Sequence, residues 1–245
     1  MQKVTSELFK ETETFTTSRL PGLGIYKLEQ VAIKTLHQDT SEEENKVKLL
    51  EEAAMVEQFL HKNIVRLYGV VLHGDPTMIA LEYLPKGNLL NFLRSMRPGE
   101  GEPVGQHVPQ MLLGFACDVR SGMNYLSNKC FIHAHRPYTA RNILLTEDNI
   151  CEVADFVLVR GLDEDDYYTS QDGHIPVKWT PLETYTTASD VWSYGILLYE
   201  MWSLGHKPYE DYDVTEVLSM INTGYRLPPP LGYPCAIYHA MIQCW

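Results

Sequence analysis

A chain of 245 residues, 44% of them hydrophobic, can bury a sizeable core and has the length of one large domain or two fused lobes, so it is not a disordered tail. Its 20 Lys and Arg against 32 Asp and Glu leave a formal charge of −12, which argues against a nucleic-acid partner and an anionic membrane surface, because both require clustered basic side chains. The five cysteines, Cys117, Cys130, Cys151, Cys235 and Cys244, follow neither disulfide-framework nor zinc-ligand spacing and read as reduced thiols. No apolar run approaches the roughly 20 residues of a membrane-spanning helix, and Met1–Thr5 does not open a signal peptide.

In chain order, Glu7–Thr17 is polar and Thr-rich, a lead-in segment or a first strand, and Leu20–Gly24 carries a Gly-x-Gly turn at Gly22 and Gly24. Val31–Leu36 alternates apolar and polar residues as a half-buried strand does. Ser41-Glu42-Glu43-Glu44 is a capping box, so a helix is expected to start there with Val47, Leu50 and Ala54 on its buried stripe. Ile64–Leu72 and Thr77–Glu82 read as consecutive strands around the turn His73-Gly74-Asp75-Pro76. Asn88 is placed to cap a short helix over Asn88–Met96, and Arg97–His107 is a Pro- and Gly-rich loop. Val108, Met111, Leu112, Phe115, Val119, Met123 and Leu126 then recur at three- and four-residue intervals, which predicts a long helix buried on one face. Further on, Asp213-Val214-Thr215-Glu216 caps another helix, with Val217, Leu218 and Ile221 inward and Gly224 as its stop.

Several short motifs arrive in one order: Val31-Ala32-Ile33-Lys34; His135-Arg136-Pro137-Tyr138-Thr139-Ala140-Arg141-Asn142; Asp155-Phe156-Val157; Ile175-Pro176-Val177-Lys178-Trp179; Asp190-Val191-Trp192-Ser193-Tyr194-Gly195; and Met241-Ile242-Gln243-Cys244-Trp245. Together they resemble a protein tyrosine kinase domain of receptor type, most similar to insulin-receptor-like kinases, from about Val31 to Trp245. The resemblance implies a two-lobed α+β protein-kinase fold, with a small mostly β N-lobe over residues 1–84, hinge included, and a larger mostly α C-lobe over 85–245. It also implies ATP and magnesium as cofactors. The chain stops at the family's M-x-x-C-W, before the loop whose arginine would pair with Glu183, so a C-terminal truncation is expected.

By the same resemblance, Gly22 and Gly24 stand where two phosphate-loop glycines would be, with too little chain before Lys34 for a full second strand. Lys34 would touch the ATP phosphates and pair with Glu52. Ala32, the gatekeeper Leu81, Glu82, Leu84 and Leu144 would surround the adenine, with the backbone at Glu82 and Leu84 bonding it. Asn142 and Asp155 would hold magnesium, and Arg141 belongs to the catalytic loop.

The chain departs from the pattern at the loop's centre. Aligned on Ala140–Asn142, the base position is Pro137, which has no acceptor side chain and no amide donor. Aligned on Phe131-Ile132-His133, it is His135, a chemically reasonable base, with two extra residues before Asn142. Val157 replaces the glycine of D-F-G, and a β-branched residue resists positive φ by roughly 1–2 kcal/mol. The acidic run Asp163-Glu164-Asp165-Asp166 precedes Tyr167 and Tyr168, which resemble the paired phosphorylated tyrosines of an activation loop, and Pro176–Trp179 resembles the platform for a peptide tyrosine.

Three readings stay open. The first is a catalytically impaired pseudokinase, an allosteric or docking partner in phosphotyrosine signalling, phosphorylated by a partner receptor kinase. The second is an active kinase acting on tyrosine in protein substrates, and the third is a defective fragment. In the first two the chain is the cytoplasmic domain of a plasma-membrane receptor, with no membrane contact of its own.

Overall fold

In a computed structural model, the described residues are 12–16, 28–35, 47, 50, 51, 53–71, 78–99, 101–131, 138–154, 167–170, 173–181, 187–230 and 232–245. The N-terminal part is a four-stranded antiparallel sheet of β1 (Thr12–Thr16), β2 (Leu28–Thr35), β3 (Leu67–Val71) and β4 (Met78–Glu82), in the order β1-β2-β4-β3. Strand β2 begins earlier than the alternation in Val31–Leu36 predicts. Its first residues pair with β1, Leu28 opposite Thr16, and ladder hydrogen bonds hold a strand whatever its side chains.

Helix α1 is helical at residues 47, 50, 51 and 53–56. Its buried face is not the expected one. Val47 is 52% exposed and Ala54 is exposed, whereas Ala53 and Val56 are buried. Ala53 packs on Ile79 of β4, so contact with the sheet sets the helix's rotation. The expected strand Ile64–Leu72 is also shorter: Ile64 and Val65 are buried in a connector, and the sheet begins at Leu67.

The rest is mainly helical. Helix α2 (Leu89–Ser95) starts as expected, the Asn91 N–H donating to Asn88 Oδ1 at 2.9 Å. Helix α3 (Val108–Asn128) buries Val108, Leu112, Phe115, Val119 and Leu126, with Met111 and Met123 half-buried, as the periodicity predicts. Each such apolar side chain contributes about 1.5–3 kcal/mol when removed from water. Helix α4 (Thr187–Trp202) is apolar on nearly every side; its Leu197, Leu198 and Met201 meet α3 in one core, and its Trp192 and Ile196 meet Trp179, Val217 and Ile221 in another. Helix α5 (Val214–Asn222) has its capping box, Glu216 N–H to Asp213 Oδ1 at 2.8 Å and Asp213 N–H to Glu216 Oε2 at 2.9 Å. It ends before Gly224, whose φ of +86° a side chain would strain. Helix α6 (Cys235–Cys244) packs on α4, and all five cysteines are free thiols.

There are also two short ladders, β5 (Ile143–Leu145) with β6 (Cys151–Val153), and β7 (Tyr167–Ser170) with β8 (Gly173–Pro176). The β5–β6 ladder joins the halves. The Val153 N–H donates to the Asn63 carbonyl at 2.9 Å, the Val65 N–H donates to the Val153 carbonyl at 3.0 Å, and the Asn63 side-chain amide donates to the Cys151 carbonyl at 3.0 Å. Ile64-Val65 is therefore apolar because it packs between the lobes.

Candidate nucleotide cleft and catalytic loop

On an antiparallel sheet directly paired residues share a face. Ala32 opposite Leu81, and Lys34 opposite Ile79, thus lie on one side of the β2–β4 pair. Below the strands, Val65, Leu84, Leu144 and Ala154 form a buried apolar cluster with Leu81 packed against it. Backbone bonds hold β5 against the segment after β4: Lys86 N–H to Leu145 O at 3.3 Å, and Leu145 N–H to Gly87 O at 3.0 Å. Ala32, Leu81, Glu82, Leu84 and Leu144 are thus brought together at one hinge, with Lys34 half-buried on the face of Ala32.

The catalytic-loop residues are held just as firmly. Ala140–Asn142 is a single 3-10 turn, closed by the Asn142 N–H on the Thr139 carbonyl at 2.9 Å. The Ala140 N–H donates to Glu200 Oε2 of α4 at 2.9 Å, and the Arg141 guanidinium lies over the Trp179 ring, 5.5 Å from its centroid. The Asn142 carbonyl accepts from the Ala154 N–H at 2.9 Å, so the chain leaves for residue 155 from beside Asn142. Glu200 is only 1% exposed, and its carboxyl is pushed up to about 7 chiefly by burial, against the opposing pull of the Ala140 amide, Arg141, Trp179 and Arg94. Tyr138 is 1% exposed; burial, and then the Asp190 carboxylate, hold its phenol well above the usual range.

The Pro176–Trp179 segment is bolted to the helical core. Trp179 is 1% exposed, the Trp179 and Thr180 N–H groups turn back on Pro176 and Val177, and the Ser193 hydroxyl donates to the Trp179 carbonyl at 2.9 Å. Tyr167 and Tyr168 lie in a strand, their backbones opposite Pro176 and Ile175.

Gly22, Gly24, Glu52, His135, Pro137, Asp155, Val157 and Glu183 lie outside the described residues. Among the described residues, no group of three or more His, Cys, Asp and Glu side chains converges as a metal site would, and no helix is long and apolar enough to cross a membrane. The magnesium set expected here is an amide and a carboxylate, Asn142 and Asp155; Asn142 is buried and tied to Ala154, which fits a fixed oxygen donor at that point.

The sequence reading missed Glu200, Asn63 and Glu152. A signal existed for the first: Glu200 is the lone charge in Ile196-Leu197-Leu198-Tyr199-Glu200-Met201-Trp202, and an acid inside an apolar helix needs a buried partner.

The profile of protein tyrosine and serine/threonine kinases matches residues 23–245. The chain is 43% identical to human ephrin type-A receptor 1 over 235 residues, which is 94% of this chain and 23% of that protein. It is 40% identical over 222 residues to ephrin type-A receptor 5 of Gallus gallus, covering 88% of this chain and 21% of that protein. It is likewise 40% identical over 222 residues to ephrin type-A receptor 4-B of Xenopus laevis, with 88% and 22% covered. The chain therefore spans less than a quarter of the length of these relatives. They carry the receptor-type resemblance, but not the finer one to insulin-receptor-like kinases.

Proposed function

Because the chain belongs to the protein tyrosine and serine/threonine kinase family and is a receptor-type tyrosine kinase domain, we propose that it binds ATP weakly, is impaired in phosphoryl transfer and acts as an allosteric or docking partner in phosphotyrosine signalling. The supporting observation is a contrast within one loop. The Ala140–Asn142 turn is locked from both sides, by Glu200 and by Ala154, while the base position five residues before Asn142 in the better-anchored alignment is Pro137. The turn that carries Asn142 is held firmly while the proton acceptor of the loop is lost.

In this reading Ala32, Leu84 and Leu144 sandwich the adenine, the hinge backbone at Glu82 and Leu84 bonds its edge, and Lys34 meets the phosphates. Magnesium held by Asn142 and Asp155 would neutralise charge developing on the transferred phosphoryl group. No side chain at Pro137 can orient a tyrosine hydroxyl or take its proton, and Val157 biases the segment that follows. Tyr167 and Tyr168 are then substrates of a partner receptor kinase, and the chain works as the cytoplasmic part of a plasma-membrane receptor.

The test is single-turnover transfer from Mg-ATP to a tyrosine peptide, run beside a thermal-shift titration with ATP. A small metal-dependent shift with transfer at least about 10²-fold below an ordinary kinase is expected. Ordinary turnover that is lost on His135→Ala would instead establish the active-kinase reading with a histidine base.

A further inference from the structure

Glu152 is a buried carboxylic acid for which no ion pair is seen among the described residues. It lies on β6, is 5% exposed, and its Oε2 is buried with no hydrogen-bond partner. Across the ladder it pairs with Leu144, and the charge that acts on it is the Glu82 carboxylate at the end of β4, where the hinge starts. Glu82 Oε2 accepts from the Arg66 N–H, and the preceding Val65 N–H donates to the Val153 carbonyl beside Glu152. Asn63, 0% exposed, has its Oδ1 buried without a partner as well, although its amide is spent on the Cys151 carbonyl next to Glu152. Each of these buried acceptor oxygens, on adjoining segments tied by the Asn63 amide to the Cys151 carbonyl, is short of a hydrogen.

Among the described residues, Arg66, His61 and Lys86 are engaged elsewhere. The Arg66 amide donates to Glu82 Oε2 at 3.4 Å, while the Arg66 guanidinium lies over the Tyr68 ring, 5.5 Å from its centroid. On α3, Asp118 accepts from the Cys151 N–H at 3.1 Å and adds another negative charge, and the Cys151 thiol is held neutral by burial. His61 uses Nδ1 to accept from the Asn63 N–H, and Lys86 is held by the Glu147 carbonyl and Asn149 Oδ1. A proton on Glu152 removes one of two adjacent charges and converts one orphaned acceptor into a donor.

We propose that Glu152 is held as the neutral acid against Glu82, and that this proton positions the hinge relative to the β5–β6 ladder and so sets nucleotide affinity. Glu152 is thus a positioning residue, acting through Glu82, whose backbone would meet adenine; the affinity part rests on the nucleotide-binding reading above. Burial, and then Glu82, push the Glu152 carboxyl up to about 8, well above the usual carboxylate range. An acid whose folded-state value is raised stabilises the fold most at low pH and loses that contribution as pH rises through the folded value. That contribution is lost as pH rises from about 4.5 to about 8, and in the folded chain the proton itself leaves, loosening the hinge, around pH 8.

The experiment compares the whole chain with Glu152→Gln, a neutral isostere, and with Glu82→Gln, at pH 6 to 9. Thermal unfolding without nucleotide and Mg-ATP affinity by calorimetry are both measured. For the unsubstituted chain, the unfolding midpoint relative to Glu152→Gln should fall from pH 6 to about pH 8 and level off above it, and Mg-ATP affinity should weaken severalfold around pH 8. Affinity in Glu152→Gln should hold. Glu82→Gln should move the transition to lower pH, which checks the pair even if one variant folds poorly. An identical pH slope in the chain and Glu152→Gln, or a slope abolished by added sodium, potassium or magnesium ions in place of protons, overturns the proposal. A normal thermal difference with no Mg-ATP binding at any pH keeps the hinge proton and refutes the nucleotide reading alone.

Discussion

Helix α3 carries two glycines whose replacement by alanine should have opposite effects. At Gly114 a Cβ would meet nothing within 4 Å, so Gly114→Ala should express the helix-propensity gain alone, about 0.5–1 kcal/mol of added stability. At Gly122 a Cβ would lie 2.8 Å from the Asn63 carbonyl oxygen, 3.3 Å from Val153 Cγ2 and 3.4 Å from Ile64 Cδ1. The closest of these is backbone and cannot rotate away. It is also the acceptor for the Val153 N–H, one of the bonds that ties the N-terminal sheet's connector to β6. Overpacking of this kind costs about 1–3 kcal/mol, which offsets or exceeds the propensity gain.

The two variants should therefore differ by roughly 1–3 kcal/mol, or about 2–12 °C in unfolding midpoint at this chain length. Thermal and urea unfolding of both, beside the unsubstituted chain, measures this directly. Because Val153-Ala154 leads into Asp155, the Mg-ATP-dependent stabilisation should also shrink in Gly122→Ala and persist in Gly114→Ala. Equal stabilisation by the two substitutions would refute the claim that close approach of α3 to the connector holds the lobes in register.

Glu200→Ala should destabilise by about 3–5 kcal/mol in urea unfolding, because it strands the Ala140 N–H and leaves Arg141 without its buried counter-charge. Glu200→Gln keeps the acceptor and should cost clearly less. Since the Glu200 carboxyl is raised to about 7, the unsubstituted chain should lose stability relative to Glu200→Gln as pH rises from about 4.5 to 7, with the opposite slope refuting the assignment. Tyr194→Phe, which removes a hydroxyl donating to the Ala116 carbonyl at 2.9 Å, should cost about 1 kcal/mol in the same assay. In single-turnover transfer, Pro137→Asp should raise the rate only partly and Pro137→Asp with Val157→Gly further, because positioning as well as proton transfer limits phosphoryl transfer. Full activity from Pro137→Asp alone would contradict this.

What could be read from sequence was local. The stripe from Val108 to Leu126, the Asn88 cap and the Asp213–Glu216 capping box depend on contacts within one or two turns, and all three are present. The family motifs gave the two-lobed fold because each residue type serves one position in it.

Tertiary packing alone decided the rest. The rotation of α1 comes from Ala53 against Ile79, and not from the stripe Val47, Leu50 and Ala54. Ile64 and Val65 have the composition of a strand but bond to β6. The bonds that lock the candidate site join residues 60 apart, Ala140 and Glu200, and 88 apart, Asn63 and Cys151. Periodicity is blind to pairings at that separation, because a carboxyl such as Glu152 or Glu200 looks the same in sequence whether water or a buried amide awaits it. Only the fold determines which of the two it meets, and desolvation then determines where it holds its proton.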